Sequence, residues 1–82
     1  MGTFEKQIRE ILEATGPLPF LPVKLVCDRL FGTPRTRGSH LIYRTPWRGD
    51  PRINIQNRKG YIAFYQVRQV AQAIVRLEEL HD

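Results

Sequence analysis

Eighty-two residues, 41% hydrophobic and 26% charged, fit one small globular domain and exclude both a second independent unit and global disorder. No apolar run reaches bilayer length and the opening Met-Gly-Thr-Phe-Glu-Lys-Gln is not ordered like a secretory signal, so a cytoplasmic protein without a membrane partner is expected. The net charge of +5 is uneven: residues 1 to 32 sum to zero, residues 33 to 68 hold +7, and the remainder returns −2. Such a block is a footprint for nucleic acid or an acidic protein, unless it is only a solvated basic face.

In chain order, Thr3 can cap a helix whose Phe4, Ile8, Ile11 and Leu12 form one stripe of a 3.6-residue period, stopped by Gly16 and Pro17. Pro17 to Pro22 holds three prolines, which remove donors and fix φ, and reads as an ordered connector without helix or central strand. Pro22 suits the first turn of a short second helix, with Val23, Val26, Cys27, Leu30 and Phe31 on one side and Gly32 at its end. Cys27 lacks a partner for a disulfide and reads as a small buried hydrophobe.

Three strands follow. Residues 34 to 38 are polar and start at Pro34, so a strand there is short or at an edge. Residues 39 to 45 and 52 to 56 are joined by turn-forming Trp47-Arg48-Gly49-Asp50-Pro51 and read as a hairpin with Trp47 packed at its corner. A loop over 57 to 63 leads to a last helix, about 64 to 80, with Val67, Val70, Ala71, Ile74 and Leu77 in a stripe. Phe64 reads as core; Tyr61 and Ile62 are either a partner-binding patch or core. The expectation is one α+β domain over residues 1 to 82, with helices covering one face of a three-stranded antiparallel sheet. With Leu41, Tyr43, Ile53 and Ile55 inward, the alternation of a strand sends His40, Ile42, Arg44, Asn54 and Gln56 to the open face.

Few chemistries are compatible with these residues. Ser39 and His40 are adjacent on a strand and point to opposite faces, a poor nucleophile-base pair. Paired carboxylates are missing from the basic block, which holds only Asp50, and His40, His81 and Cys27 have no metal-ligand spacing, so neither metal nor other cofactor is expected. A histidine among arginines remains, and an imidazole takes or gives a proton near neutrality. RNA offers a matching reaction, in which its deprotonated 2′-hydroxyl attacks the adjacent phosphorus without a metal if a base starts the step and cations steady the charge. His40 is then the base or acid, with Arg37, Arg44 and Lys59 as electrostatic candidates. The substrate is flexible single-stranded RNA, because in-line attack needs backbone freedom. A merely exposed or structural His40 is the plain alternative.

The ordered strings Gly38-Ser39-His40-Leu41-Ile42-Tyr43, Asn54-Ile55-Gln56, a loop holding Lys59 and Gly60, and Tyr65-Gln66-Val67-Arg68-Gln69-Val70 resemble the HicA toxins of bacterial type II toxin-antitoxin systems. The resemblance covers about residues 30 to 76; residues 1 to 29 form a helical segment with the proline-rich connector. It implies a double-stranded-RNA-binding-domain-like fold and an mRNA interferase, an endoribonuclease that blocks translation. It also implies catalysis by His40, with Gly38 and Ser39 as the surrounding motif, and a HicB-type antitoxin as partner. A non-catalytic RNA-binding module on the same scaffold, or a domain that meets only an acidic protein, would carry the same charge.

Overall fold

The computed structural model describes residues 2–81; Met1 and Asp82, the ends of the expected domain, lie outside the described residues. Helix α1 spans Thr3–Glu13, with Gly2 rather than Thr3 at its N-cap and no side-chain cap bond. The Gly2 carbonyl accepts from the Lys6 amide at 3.2 Å, closing the first helical bond one residue earlier than a Thr3 cap would allow. Ile11 is buried and Phe4 and Ile8 pack half-buried against the core, whereas Leu12 is exposed.

The proline-rich connector is more ordered than its composition suggests. Leu18–Pro19 form a short strand, β1, and α2 begins at once, over Phe20–Phe31, with Pro22 in its first turn. Strand β1 pairs antiparallel with Tyr61–Ile62, strand β5, inside the stretch expected to be loop. Proline withholds its amide, but Pro19 lies in a two-residue ladder, and the next amide, Phe20, donates to the Gly60 carbonyl at 2.8 Å. Ile62 is thereby buried and Tyr61 left 54% exposed, which separates two residues the sequence treats alike.

The main sheet has the order β2–β3–β4, from Arg35–Arg37, His40–Tyr43 and Ile53–Gln56. As Pro34 and its polar neighbours suggest, β2 is a three-residue edge strand, exposed throughout. Its register sets Thr36, Leu41 and Ile55 in one row and Tyr43 opposite Ile53, all on one face. That face meets Val23, Val26 and Cys27 of α2 and Val67, Val70, Ala73 and Ile74 of α3, which spans Phe64–His81. Each large side chain fully withdrawn from water contributes about 1.5–3 kcal/mol, so this layer holds the three helices and the sheet together. Over the described residues the chain is a small α+β fold with three helices and antiparallel sheets, and no helix there is long and apolar enough to cross a membrane.

Trp47 closes the hairpin corner as expected: its Nε1 donates to the Pro51 carbonyl at 2.8 Å and its ring meets Phe31 edge-on, centroids 6.4 Å apart. Cys27 is buried, which, with Asp28 beside it, pushes the thiol up to about 12 and keeps it protonated.

Asp28 ties α2 to the sheet. It accepts from the buried Tyr43 hydroxyl at 2.6 Å and from Lys24 Nζ at 2.7 Å. Burial alone would raise its pKa, but these two hydrogen bonds and the Lys24 charge outweigh that and hold the carboxyl below its ordinary value. Burial, then the bond to Asp28, raises the Tyr43 phenol. The stability owed to a depressed carboxyl is complete above its unfolded value of about 3.9 and is lost as pH falls through the lower folded one. Asp28→Asn is therefore expected to lower stability at pH 7 and to flatten its decline below about pH 4. Unfolding midpoints measured across acid pH check this, and parallel wild-type and variant profiles would contradict it.

Candidate functional site

The uncovered face of the sheet is built from the other parity. Cross-strand register places Arg37, His40 and Gln56 in one row and Arg35, Ile42 and Asn54 in the next. Gly38 and Ser39 form the two-residue turn between β2 and β3, and Gly38 adopts φ 60, a left-handed conformation that a Cβ would strain. The glycine thus reverses the chain tightly enough to bring Arg37 directly opposite His40.

His40 is half-buried, and its Nδ1 lies 2.8 Å from Asn54 Oδ1. A carboxamide oxygen only accepts, so Nδ1 carries the hydrogen and a neutral ring keeps its lone pair at Nε2. Protonation at Nε2 leaves the Asn54 bond intact, so the ring can cycle a proton without losing its orientation. Asn54 is a diagonal neighbour; the residue directly opposite, Gln56, is otherwise engaged. Gln56 Nε2 donates to Ser39 Oγ at 2.7 Å, and Gln56 Oε1 accepts from Arg58 Nε at 3.3 Å. Ser39 lies in the turn and not on the strand, so the alternation expected to send it to the face opposite His40 does not apply; its hydroxyl is held by Gln56, which stands directly across the ladder from His40.

Strand β4 is an edge, and its Gln56 amide would lack a ladder partner there. The carboxamide of Gln66, 2% exposed in the first turn of α3, accepts that amide at 3.2 Å. One residue of β4 thus joins the turn bearing Ser39, the Arg58 guanidinium and the last helix.

The imidazole stands between two clefts. One, about 320 Å³, is lined by Arg37, His40, Ile42 and Asn54. The other, about 290 Å³, lies toward α3 and includes His40, Asn54, Asp50, Arg52, Tyr65 and Gln69. A larger groove, about 580 Å³, runs between the end of α1, the connector and the start of α2. Its lining has carboxylates, Glu10 and Glu13, and neither histidine, lysine nor arginine, so it does not suit a polyanion.

The structure brings Arg37, Gly38, Ser39 and His40 together but sets Arg44 apart from them. Arg44 follows β3, four residues from His40 and about 13 Å along a strand, beyond the row of Arg35, Ile42 and Asn54. Lys59 sits at the tip of a tight turn, φ 54, followed by Gly60 at φ 91. The turn is closed by two backbone bonds between Arg58 and Tyr61, and Asn57 Oδ1 accepts the Gly60 amide at 2.6 Å. Through this turn it is Arg58, not Lys59, that reaches the Ser39–Gln56 pair. Sequence reasoning misses Asn54, Gln56, Arg58, Arg52 and Tyr65 as site residues, although the alternation in Arg52-Ile53-Asn54-Ile55-Gln56 places Asn54 and Gln56 on the face of His40. Compared with protein-family models, curated proteins and solved structures, the chain matches none of them.

Proposed function

We propose that the chain is a metal-independent endoribonuclease for single-stranded RNA, a toxin of the HicA type, with His40 as its catalytic base on a double-stranded-RNA-binding-domain-like scaffold. The observation that carries this is the His40–Asn54 bond of 2.8 Å on an uncovered cationic sheet face, which leaves Nε2 free to take a proton. The element order supports the scaffold: helix, three antiparallel strands, helix, with α2 added and one sheet face open.

In the proposed step Nε2 takes the proton of an RNA 2′-hydroxyl, and the freed oxygen attacks the adjacent phosphorus as the P–O5′ bond breaks. The departing oxygen takes a proton from solvent, and the imidazolium returns its own to solvent. Arg37, directly across the ladder, steadies charge on the phosphoryl oxygens, and Arg35 and Arg58 extend the cationic surface for neighbouring phosphates. A HicB-type antitoxin would silence such an enzyme by covering this face with acidic groups.

Purified protein incubated with a single-stranded RNA and its DNA counterpart, with chelator present, tests the reading. The expected outcome is cleavage of RNA alone, leaving 2′,3′-cyclic phosphate and 5′-hydroxyl ends. Salt-sensitive RNA binding without any cleavage would select the non-catalytic module, and binding to an acidic protein but to no nucleic acid would select the third alternative.

A further inference from the structure

The geometry points to Tyr65 as a stacking platform for the nucleobase next to the phosphate at His40. Tyr65 stands at the start of α3, where a helix of this fold gains nothing for its core from an aromatic ring turned outward, and it is 53% exposed. It lines the same cleft as His40, together with Arg52 and Gln69. That volume, about 290 Å³, lies at the small end of ligand sites and suits a single base rather than a peptide side. An exposed aromatic ring beside a guanidinium is the pairing that single-stranded nucleic acid uses, the base on the ring and its phosphate on the cation.

The cleft is also held in place. Gln66, next to Tyr65, is buried and bonded to the β4 amide of Gln56, so the first turn of α3 cannot slide along the strand that carries Asn54. The backbone at Tyr65 is therefore tied to the strand that carries Asn54 through one side-chain bond. Gln69, one turn further along α3 and half-buried, presents a carboxamide that both donates and accepts, which suits the edge of the stacked base. Tyr61, the other exposed tyrosine of this region, lines neither cleft beside His40.

The platform rests on the RNA reading of the His40 face, and its test separates the two. Binding of short single-stranded RNA and DNA oligonucleotides is measured for wild type, Tyr65→Phe and Tyr65→Ala, alongside RNA cleavage by each. Tyr65→Ala is expected to weaken binding of both nucleic acids by roughly 5- to 100-fold, and Tyr65→Phe to keep most of the affinity. In cleavage the Ala variant should lose mainly through a raised KM, and an RNA with one abasic position at the cleavage site should no longer distinguish it from wild type. Gln69→Ala is expected to change the preference among bases rather than the affinity for all of them. Cleavage and binding that ignore Tyr65→Ala would overturn the platform while leaving the nuclease standing. Tyr65-dependent binding without cleavage would uphold the platform and remove the nuclease, and absence of any oligonucleotide binding would remove both.

Discussion

His40→Ala is expected to lower RNA cleavage by roughly 10²- to 10⁴-fold, the range that loss of a positioned proton-transfer group commonly produces. Folding and RNA affinity should change little. The ring is half-buried on the open face and contributes no member of the buried core, so removing it opens no sealed cavity. Its partner Asn54 is also only half-buried, so the carboxamide can be satisfied by water once the imidazole is gone. Cleavage measured with wild-type and variant protein of matched thermal midpoint checks the expectation. In cells, expression of the variant should be tolerated where the wild type arrests growth. A variant that cuts RNA at the wild-type rate would end the proposed role of His40.

The second large effect concerns the opposite side of the same strands. Ile55 is fully buried, and its chain neighbours Asn54 and Gln56 are the residues that orient His40 and hold Ser39. Ile55→Ala removes buried methyl groups and leaves a cavity between sheet and helices, at a cost of about 2–5 kcal/mol. A domain of this size is stable by only about 4–12 kcal/mol, so the loss takes a large share of the whole. At roughly 4–8 °C per kcal/mol, the midpoint should fall by about 10 °C or more. Thr36→Ala is the matched control: Thr36 stands in the same cross-strand row, beyond Leu41, yet is exposed. It should cost no more than about 0.5 kcal/mol. Thermal melts of the two variants check both statements, and equal effects would mean that the sheet is not anchored through β4 as described.

The two substitutions act on one geometric fact. Because successive residues of a strand face opposite ways, β4 presents isoleucines to the helices and polar carboxamides to the open side. The core sets the position of the backbone, and the backbone sets where Asn54 and Gln56 can reach. Loss of Ile55 should therefore lower activity as well as stability, whereas loss of His40 should lower activity alone.

Local pattern makes much of the architecture legible. The stripe in α3, the apolar side of α2 and the alternation in β4 are written at periods of 3.6 and 2, and each period names the buried face whatever the rest of the chain does. The same alternation is enough to put His40, Asn54 and Gln56 on one surface. Contacts that join distant positions are not legible. The β1–β5 ladder links residues 18–19 to 61–62, and neither two-residue segment has a strand's pattern of its own. Thr3 is as good a cap residue as any by composition, yet Gly2 is the N-cap of α1 and Thr3 its first helical residue.

Sequence by itself determined which side of the helices and of β4 is apolar, where the positive charge gathers, and that a histidine stands in the strand-forming run after Gly38, because these are properties of neighbours along the chain. Tertiary structure alone decided that Asn54 takes the imidazole Nδ1, that Gln66 secures the free edge of β4, and that Arg44 lies at the far end of the sheet from His40. Those outcomes depend on register and on which loops close against which strands. A shift of one residue in pairing would exchange the two faces of the sheet.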